Sequence, residues 1–313
     1  MQKFIDDWIC IVNPLAGSGK TISDWKKAEA ELTENNIPFQ MRLTNYKYHA
    51  MKIAYDAASR GHRYFLAVGG DGSVHEVYNG ILQFCDEAGV DPIEFYLGVI
   101  PIGSGNDWIK STRIPKDVIF AVGLISARSF DVQDVIKVET SEGVSYMLNV
   151  GGTGFDAHVC QRVNRQKERG RRKPRIYASA LMHTIRWIRP FNARVETDNG
   201  TVFEGPMYSL ALGNGPYSGG GMRQVPKAVL NDGLLDYMLV PKIPIKTIVK
   251  EAPRLFKGNL DESQEVVMGK CRTITVTGDR TDIVEIDGEI KGNLPLKVSV
   301  TGKHINILVG ETL

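Results

Sequence analysis

Apolar residues recur at two spacings in the first 130 residues. "WICIVN" (8–13), "PFQMRLT" (38–44), "RYFLAVGG" (63–70) and "FYLGVIPIGSGND" (95–107) begin as short apolar runs, the pattern of buried strands. Between them "SDWKKAEAELTE" sets Trp25, Ala28 and Leu32 at helical intervals and predicts a helix from an N-cap at Ser23 to about Glu34. "YHAMKIAYDAASRG" (48–61) predicts a second helix closed by Gly61, and "SVHEVYNGILQFCDEAG" (73–89) a third. Strands alternating with helices imply a parallel sheet covered on both faces.

The pattern changes beyond residue 130. "DVQDVIKVET", "VSYMLNVGG", "FNARVETDNGTVFEGPMYSLALGNG", "LLDYMLVPK", "CRTITVTGD" and "TDIVEIDGEIKG" read as strands joined by polar turns, and only 153–190 and 243–257 read as helical. The expected fold is an α/β N-terminal domain over 1–130, with its boundary near 126–134. A mostly antiparallel, sandwich-like β domain then covers 131–299.

Composition removes several function classes. With 42% apolar and 24% charged residues the chain is globular, and a formal charge of +2 carries no nucleic-acid character. Cys10, Cys85, Cys160 and Cys271 have neither disulfide-framework nor metal-type spacing, which points to a reducing compartment. No stretch of 18 apolar residues is present, and "MQKFIDDWICIVNP" lacks a signal-peptide pattern, so a cytoplasmic location is expected.

Three glycine-rich turns follow predicted strands. "NPLAGSGKT" (13–21) approaches a phosphate-binding P-loop but has Pro14, which offers no amide hydrogen, at the first glycine position. "GGDGS" (69–73) and "IGSGND" (102–107) are the others. At the carboxyl ends of parallel strands such turns expose backbone amides that hold phosphate oxygens, and three of them converge on one crevice. Ser73, Ser104 and Asn106 add donors. Asp71 repels phosphate unless a cation or hydroxyl donor intervenes, so its carboxylate either satisfies turn amides or organises Mg²⁺ on a nucleotide.

"IVNPLAGSGK", "VGGDGSVHEVYNGI", "GVIPIGSGNDWIKS", "NVGGTGFDAHV", "GNGPYSGGGMRQVPKAVLNDGLLD" and "EIDGEI", in this order, resemble the bacterial diacylglycerol kinase and YegS-like lipid kinases. The resemblance implies ATP-dependent phosphorylation of a lipid hydroxyl in a cleft between two domains. It assigns nucleotide contacts to Asn13, Pro14, Ala16, Gly17, Ser18, Gly19, Lys20, Thr44, Gly69, Gly70, Asp71, Gly72, Ser73, Val74, His75, Ser104 and Asn106. It further implies a structural Mg²⁺ on the Asp232 carboxylate and the carbonyls of Val229 and Leu234, although "NDG" by itself reads as a turn. The general base falls on Glu289, with Asp71 on the metal side and Asp287 as a neighbour able to share the role. The family fold also suggests that the tail, about 300–313 and including "HINILV", returns to the first domain.

"RVNRQKERGRRKPR" (162–175) carries eight basic residues and one acidic, and apolar "ASALMHTIRWIRPF" (178–191) follows. By default this is a solvated face. Beside a lipid substrate it becomes a peripheral contact with an anionic membrane surface. A homodimer is compatible with the sequence, which does not read out oligomeric state. Two alternatives stand beside the lipid kinase: a kinase of a soluble substrate such as NAD, and a non-catalytic nucleotide- or lipid-binding protein.

Overall fold

The computed structural model describes residues 5–19, 21–102, 105–168 and 176–310. Lys20, Ser104 and residues 169–175 of the basic run lie outside them. The chain divides into two units, Met1–Val135 with Gly302–Leu313, and Ile136–Thr301.

The first unit runs β1 (Ile5–Val12), α1 (Thr21–Glu34), β2 (Phe39–Leu43), α2 (His49–Ser59), β3 (His62–Gly69), α3 (Asp71–Ala88), β4 (Tyr96–Pro101), α4 (Trp108–Ser111) and α5 (Val118–Ser126). β1 pairs in parallel with β2 on one side and β3 on the other, and β3 pairs in parallel with β4. Phe65, Leu66, Ala67 and Val68 are all buried, as expected of a strand covered on both faces. Helix α1 starts at Thr21, so Ser23 lies inside its first turn rather than capping it; the Thr21 hydroxyl donates to the Ala16 carbonyl (2.8 Å). Gly61, at φ +99°, closes the α2 end with its amide on the Ala58 carbonyl (3.0 Å).

β5 (Phe130–Thr140) carries the chain into the second unit, and β6 (Gly143–Met147) and β7 (Val150–Gly154) follow. Next come α6 (Phe155–Glu168), α7 (Ile176–Trp187), β8 (Phe191–Thr197) and β9 (Gly200–Gly213). A short ribbon of β10 (Tyr217–Ser218) and β11 (Met222–Arg223) precedes β12 (Leu235–Pro241), α8 (Ile245–Glu251) and α9 (Pro253–Lys257). The unit ends with β13 (Val267–Cys271), β14 (Thr273–Gly278), β15 (Ile283–Ile286), β16 (Glu289–Asn293) and the start of β17 (Leu296–Leu308).

Within this unit the ladders are antiparallel: β9 pairs with β7, β8 and β12, β14 with β8 and β17, and β15 with β7 and β16. Ile136, Val195, Leu212, Leu239, Ile274 and Val298 belong to one buried cluster behind these strands. The far end of β17 belongs to the first unit, where Asn306 and Ile307 pair in parallel with Tyr96 and Leu97 of β4. The result is a parallel α/β unit and a mostly antiparallel β unit, the fold class that the residue pattern predicts.

Candidate active site

Strand order in the first unit reverses at β1, whose two neighbours are reached through α1 and α2. The carboxyl ends of strands at such a reversal leave a crevice. The glycine turns are knit together there. The Asn13 amide hydrogen bonds the Val68 carbonyl (3.0 Å), and the Asn13 side chain donates to Ser73 Oγ (3.3 Å). Ile102 N donates to the Gly69 carbonyl (2.8 Å), joining the second turn to the third. A Cβ on Gly69 would lie 2.3 Å from Ser73 Oγ, so only glycine lets the α3 start close onto β3. Gly17, at φ +55°, sits where a Cβ would meet Ile102 at 2.8 Å, which brings the first turn against the third.

Ala16–Gly19 form a single 3₁₀ turn, and Leu15 N donates to Asn13 Oδ1 (3.0 Å). Thr44 follows β2, with its amide on the Val12 carbonyl (3.0 Å). Gly70 caps α3, and Gly72 faces open space in the first turn, where helix amides lack intrahelical acceptors. Val74 and His75 differ: both side chains are buried, and the His75 ring stacks its contacts on Asn79 inside the helix layer. Both contribute to the packing of α3. Asn106 is buried at φ +51°, a conformation asparagine tolerates.

Asp71 has a structural task that its local sequence does not reveal. Its Oδ1 accepts the amide of Trp108, the first residue of α4 (3.1 Å), while Asp107 in the cap position pairs with Lys110 instead. Five residues on, Glu76 accepts the amides of Tyr48 and Ala50 at the start of α2 (both 3.1 Å). Asp71 and Glu76 thus hold the starts of two neighbouring helices.

In the second unit, Ile286 and Glu289 pair across a two-residue Asp287–Gly288 turn with φ of +51° and +86°, the left-handed pair that favours Asp-Gly hairpins. The Asp287 carboxylate accepts the amides of Leu148 (2.7 Å), Asn149 (2.8 Å) and Val150 (3.1 Å). A carboxylate that accepts three amides anchors the turn that precedes Glu289. Asn164 of α6 donates to the Gly288 carbonyl (2.8 Å), and the Cys160 thiol approaches the same oxygen (3.0 Å). The Gly288 amide donates to Glu285 (3.0 Å). Burial raises the Glu285 carboxyl to about 8; the Gly288 hydrogen bond opposes the rise, while Asp156, Asp287 and Glu289 add to it. Glu289 is thereby the first residue of a strand that follows a turn held from three directions.

Asp232 lies in the loop before β12. Its Oδ1 accepts the Leu234 amide (3.1 Å), an Asx-type turn contact, and its Oδ2 accepts Lys270 Nζ (2.6 Å). Lys270 stands directly across from Asp236 on the paired strand and also reaches it (3.2 Å). The expected Mg²⁺ donors, Asp232 with the Val229 and Leu234 carbonyls, do not fit a divalent ion while this ammonium occupies the carboxylate. Among the described residues no group of three His, Cys, Asp or Glu side chains is arranged to hold a metal.

The second unit also contains a half-open, mostly apolar pocket with a cavity volume of about 80 Å³. Its apolar lining comes from Phe155, Leu181, Ile185, Ile188, Met238, Ile248 and Leu255, among others. Asp156, Ser209 and Gln224 form a joined polar group on the lining: Ser209 Oγ donates to Asp156 Oδ2 (2.6 Å), and Gln224 donates as well. Burial raises the Asp156 carboxyl above its ordinary range against the pull of both donors. These residues escaped the sequence reading, although "NVGGTGFDAHV" contains Asp156; only the meeting of α6, β9 and the ribbon marks it.

A parallel α/β unit with knitted glycine turns, followed by an antiparallel β unit, is the architecture of two-domain kinases of the NAD kinase and diacylglycerol kinase type. The chain belongs to the diacylglycerol kinase family: residues 7–138 match the diacylglycerol kinase catalytic domain, and 149–309 the YegS C-terminal NAD kinase beta sandwich-like domain. It is similar to the "Probable lipid kinase YegS-like" of Xanthomonas campestris pv. campestris (strain 8004), 29% identical with 75% of this chain and 74% of the relative covered. It is also similar to the diacylglycerol kinase of Mycobacterium tuberculosis (strain ATCC 25618 / H37Rv), 26% identical with 95% and 93% covered. A solved diacylglycerol kinase from Bacillus anthracis str. Sterne shares the fold, with a TM-score of 0.70 at 20% identity over 97% of both chains. The protein is therefore an enzyme of the kinase class.

Proposed function

We propose that this kinase transfers the γ-phosphate of MgATP to the hydroxyl of a membrane lipid carrying at least one acyl or alkyl chain. The cavity of the second unit carries the lipid reading. A soluble dinucleotide acceptor has no use for apolar walls from several elements, whereas a hydrocarbon chain gains about 0.8 kcal/mol for each CH₂ it buries. The names of the curated relatives support the same acceptor class. The knitted turns supply backbone amides for the nucleotide phosphates, with Asn13 and Ser73 as side-chain donors.

In the transfer, the acceptor oxygen forms a bond to the γ-phosphorus as the bond to the β,γ-bridging oxygen breaks, leaving ADP. Glu289 takes the hydroxyl proton and passes it to water. Mg²⁺ enters as part of the nucleotide substrate and neutralises the charge that builds on the leaving phosphate. Lys20 and Ser104 lie outside the described residues, and their nucleotide contacts belong to this proposal. The decisive experiment is incubation of the pure protein with labelled ATP and a panel of diacylglycerol, monoacylglycerol, phosphatidylglycerol and sphingoid lipids in detergent. Label is expected in the organic phase; label in NAD with none in any lipid would overturn the reading.

A further inference from the structure

We infer that the outer face of α8–α9 docks on an anionic phospholipid bilayer. This inference rests on the lipid-acceptor reading and concerns where the enzyme meets its substrate. The helix pair has two distinct faces. Ile248, Glu251, Ala252 and Leu255 line the cavity. Ile245, Val249 and Phe256 are not part of that lining and are 38%, 48% and 61% exposed. A surface with that much exposed hydrocarbon on two adjoining helices marks a contact.

Charge selects the partner. Lys242, Lys246, Lys250 and Lys257 are spread through the same segment and are exposed. Its one carboxylate, Glu251, is on the cavity lining and paired with Arg254 (2.9 Å). Within α8–α9 the exposed side chains are therefore apolar or cationic, the composition of a helix that lies in the headgroup layer, and the exposed Glu262 beyond them is paired with Arg254 (3.2 Å). Lysine is depleted in protein–protein interfaces, whereas an anionic leaflet attracts it. A second wall of the same cavity repeats the arrangement: α7 contributes Leu181 and Ile185 to the lining and ends on Trp187, 67% exposed and of the type enriched at membrane interfaces. Both helical walls of the lipid cavity thus carry outward groups suited to a bilayer, which places cavity and membrane side by side.

The test uses full-length protein and sedimentation with vesicles of phosphatidylcholine alone or with roughly one third phosphatidylglycerol. Wild type is expected to sediment with the anionic vesicles and to remain in solution with the neutral ones. Lys246→Glu with Lys250→Glu, and separately Val249→Ser with Phe256→Ser, should each reduce the anionic partition at least ~10-fold. Both should phosphorylate a short-chain lipid in detergent micelles within about twofold of wild type, because neither touches the cavity lining. A third variant, Phe256→Trp in a Trp187→Phe background, should shift its tryptophan emission further to the blue on anionic vesicles than the Trp187→Phe parent does, which reports insertion at α9 because the other tryptophans are buried. Wild-type partition that ignores lipid charge, variants that sediment like wild type, or no emission shift beyond the parent's would each overturn the docking surface. Absence of lipid phosphorylation by wild type in micelles would instead overturn the acceptor reading beneath it.

Discussion

Glu289 and Asp71 carry different weights of function and structure, and substitution separates them. The turn before Glu289 is held by Asp287, Asn164 and Glu285, so Glu289→Gln should leave the fold and nucleotide affinity within about twofold of wild type. Turnover should fall at least ~10²-fold in a single-turnover phosphoryl-transfer assay, the loss expected for a general base. Asp71 also caps α4, and Asp71→Asn keeps an acceptor for the Trp108 amide while removing the charge. Its unfolding free energy should stay within about 1 kcal/mol of wild type, as for a cap exchanged between Asp and Asn, while turnover drops at least ~10-fold if the charge organises the nucleotide's metal. Equal losses in stability and rate would reduce Asp71 to a cap. At Asp232, stripping divalent ions from nucleotide-free protein should leave Tm unchanged within about 1 °C, because Lys270 already neutralises the carboxylate. Lys270→Met should cost about 1–3 kcal/mol by leaving Asp232 and the buried Asp236 without their shared cation. The sequence contained each of these acids, but not its partner: Trp108 lies 37 residues from Asp71, and Lys270 lies 38 from Asp232. Pattern along the chain cannot register such pairs. The glycines were legible because strain and close approach leave a residue-type signature that a hydrogen bond across the fold does not.

Among elements, the β15–β16 hairpin was readable as Asp-Gly between strand-like runs, and its environment was not. Glu285 alternates with apolar Val284 and Ile286 and reads as the polar side of a half-exposed strand, yet α6 covers that side and buries it. The consequence is a pH dependence of defined sign. Glu285 has an ordinary value of 4.5 and a folded value of about 8, so between these limits the folded chain holds a proton that the unfolded chain has lost. The group's contribution to stability is complete below about pH 4.5 and is lost as pH rises through about 8. Glu285→Gln, which keeps an acceptor for Gly288, should flatten the fall in Tm over that window and be the more stable protein above it. A parallel slope in both proteins would assign the pH dependence to other groups. Helix α5 shows a different limit of pattern reading. "VIFAVGLIS" is apolar nearly throughout, so it carries neither strand alternation nor a helical stripe, and the Asp117 cap on Ile119 (2.9 Å) supplies the cue that hydrophobicity lacks.

For the whole molecule, the order of units along the chain matters as much as their folds. The first unit is left at Val135 and completed only by residues from Gly302 onward, after the whole second unit has been made. The returning strand is well integrated: Ile305, Ile307, Leu308 and Val309 are buried, Ile307 pairs with Leu97, and the Asn306 side chain donates to the Ile93 carbonyl (2.6 Å). Val309 N and Gly310 N then bond the Ser129 and Thr112 carbonyls (both 2.9 Å), tying in the segments on either side of α5. "HINILV" signals an apolar strand in the sequence, but an apolar strand has many edges to choose from, and only the family resemblance suggested this one. Ile307→Ala should cost about 2–5 kcal/mol, the range for a fully buried aliphatic side chain. Because the strand lies beside β4, whose end bears the third glycine turn, ATP binding should weaken as the first unit loosens. Nucleotide-dependent protection of Tm is the measurement, since it reports that unit and not the β unit. A variant that unfolds at the wild-type temperature would show that the last strand decorates the sheet without belonging to its cooperative core. The observed pairing on one edge and bonds to both flanks of α5 argue for the larger loss.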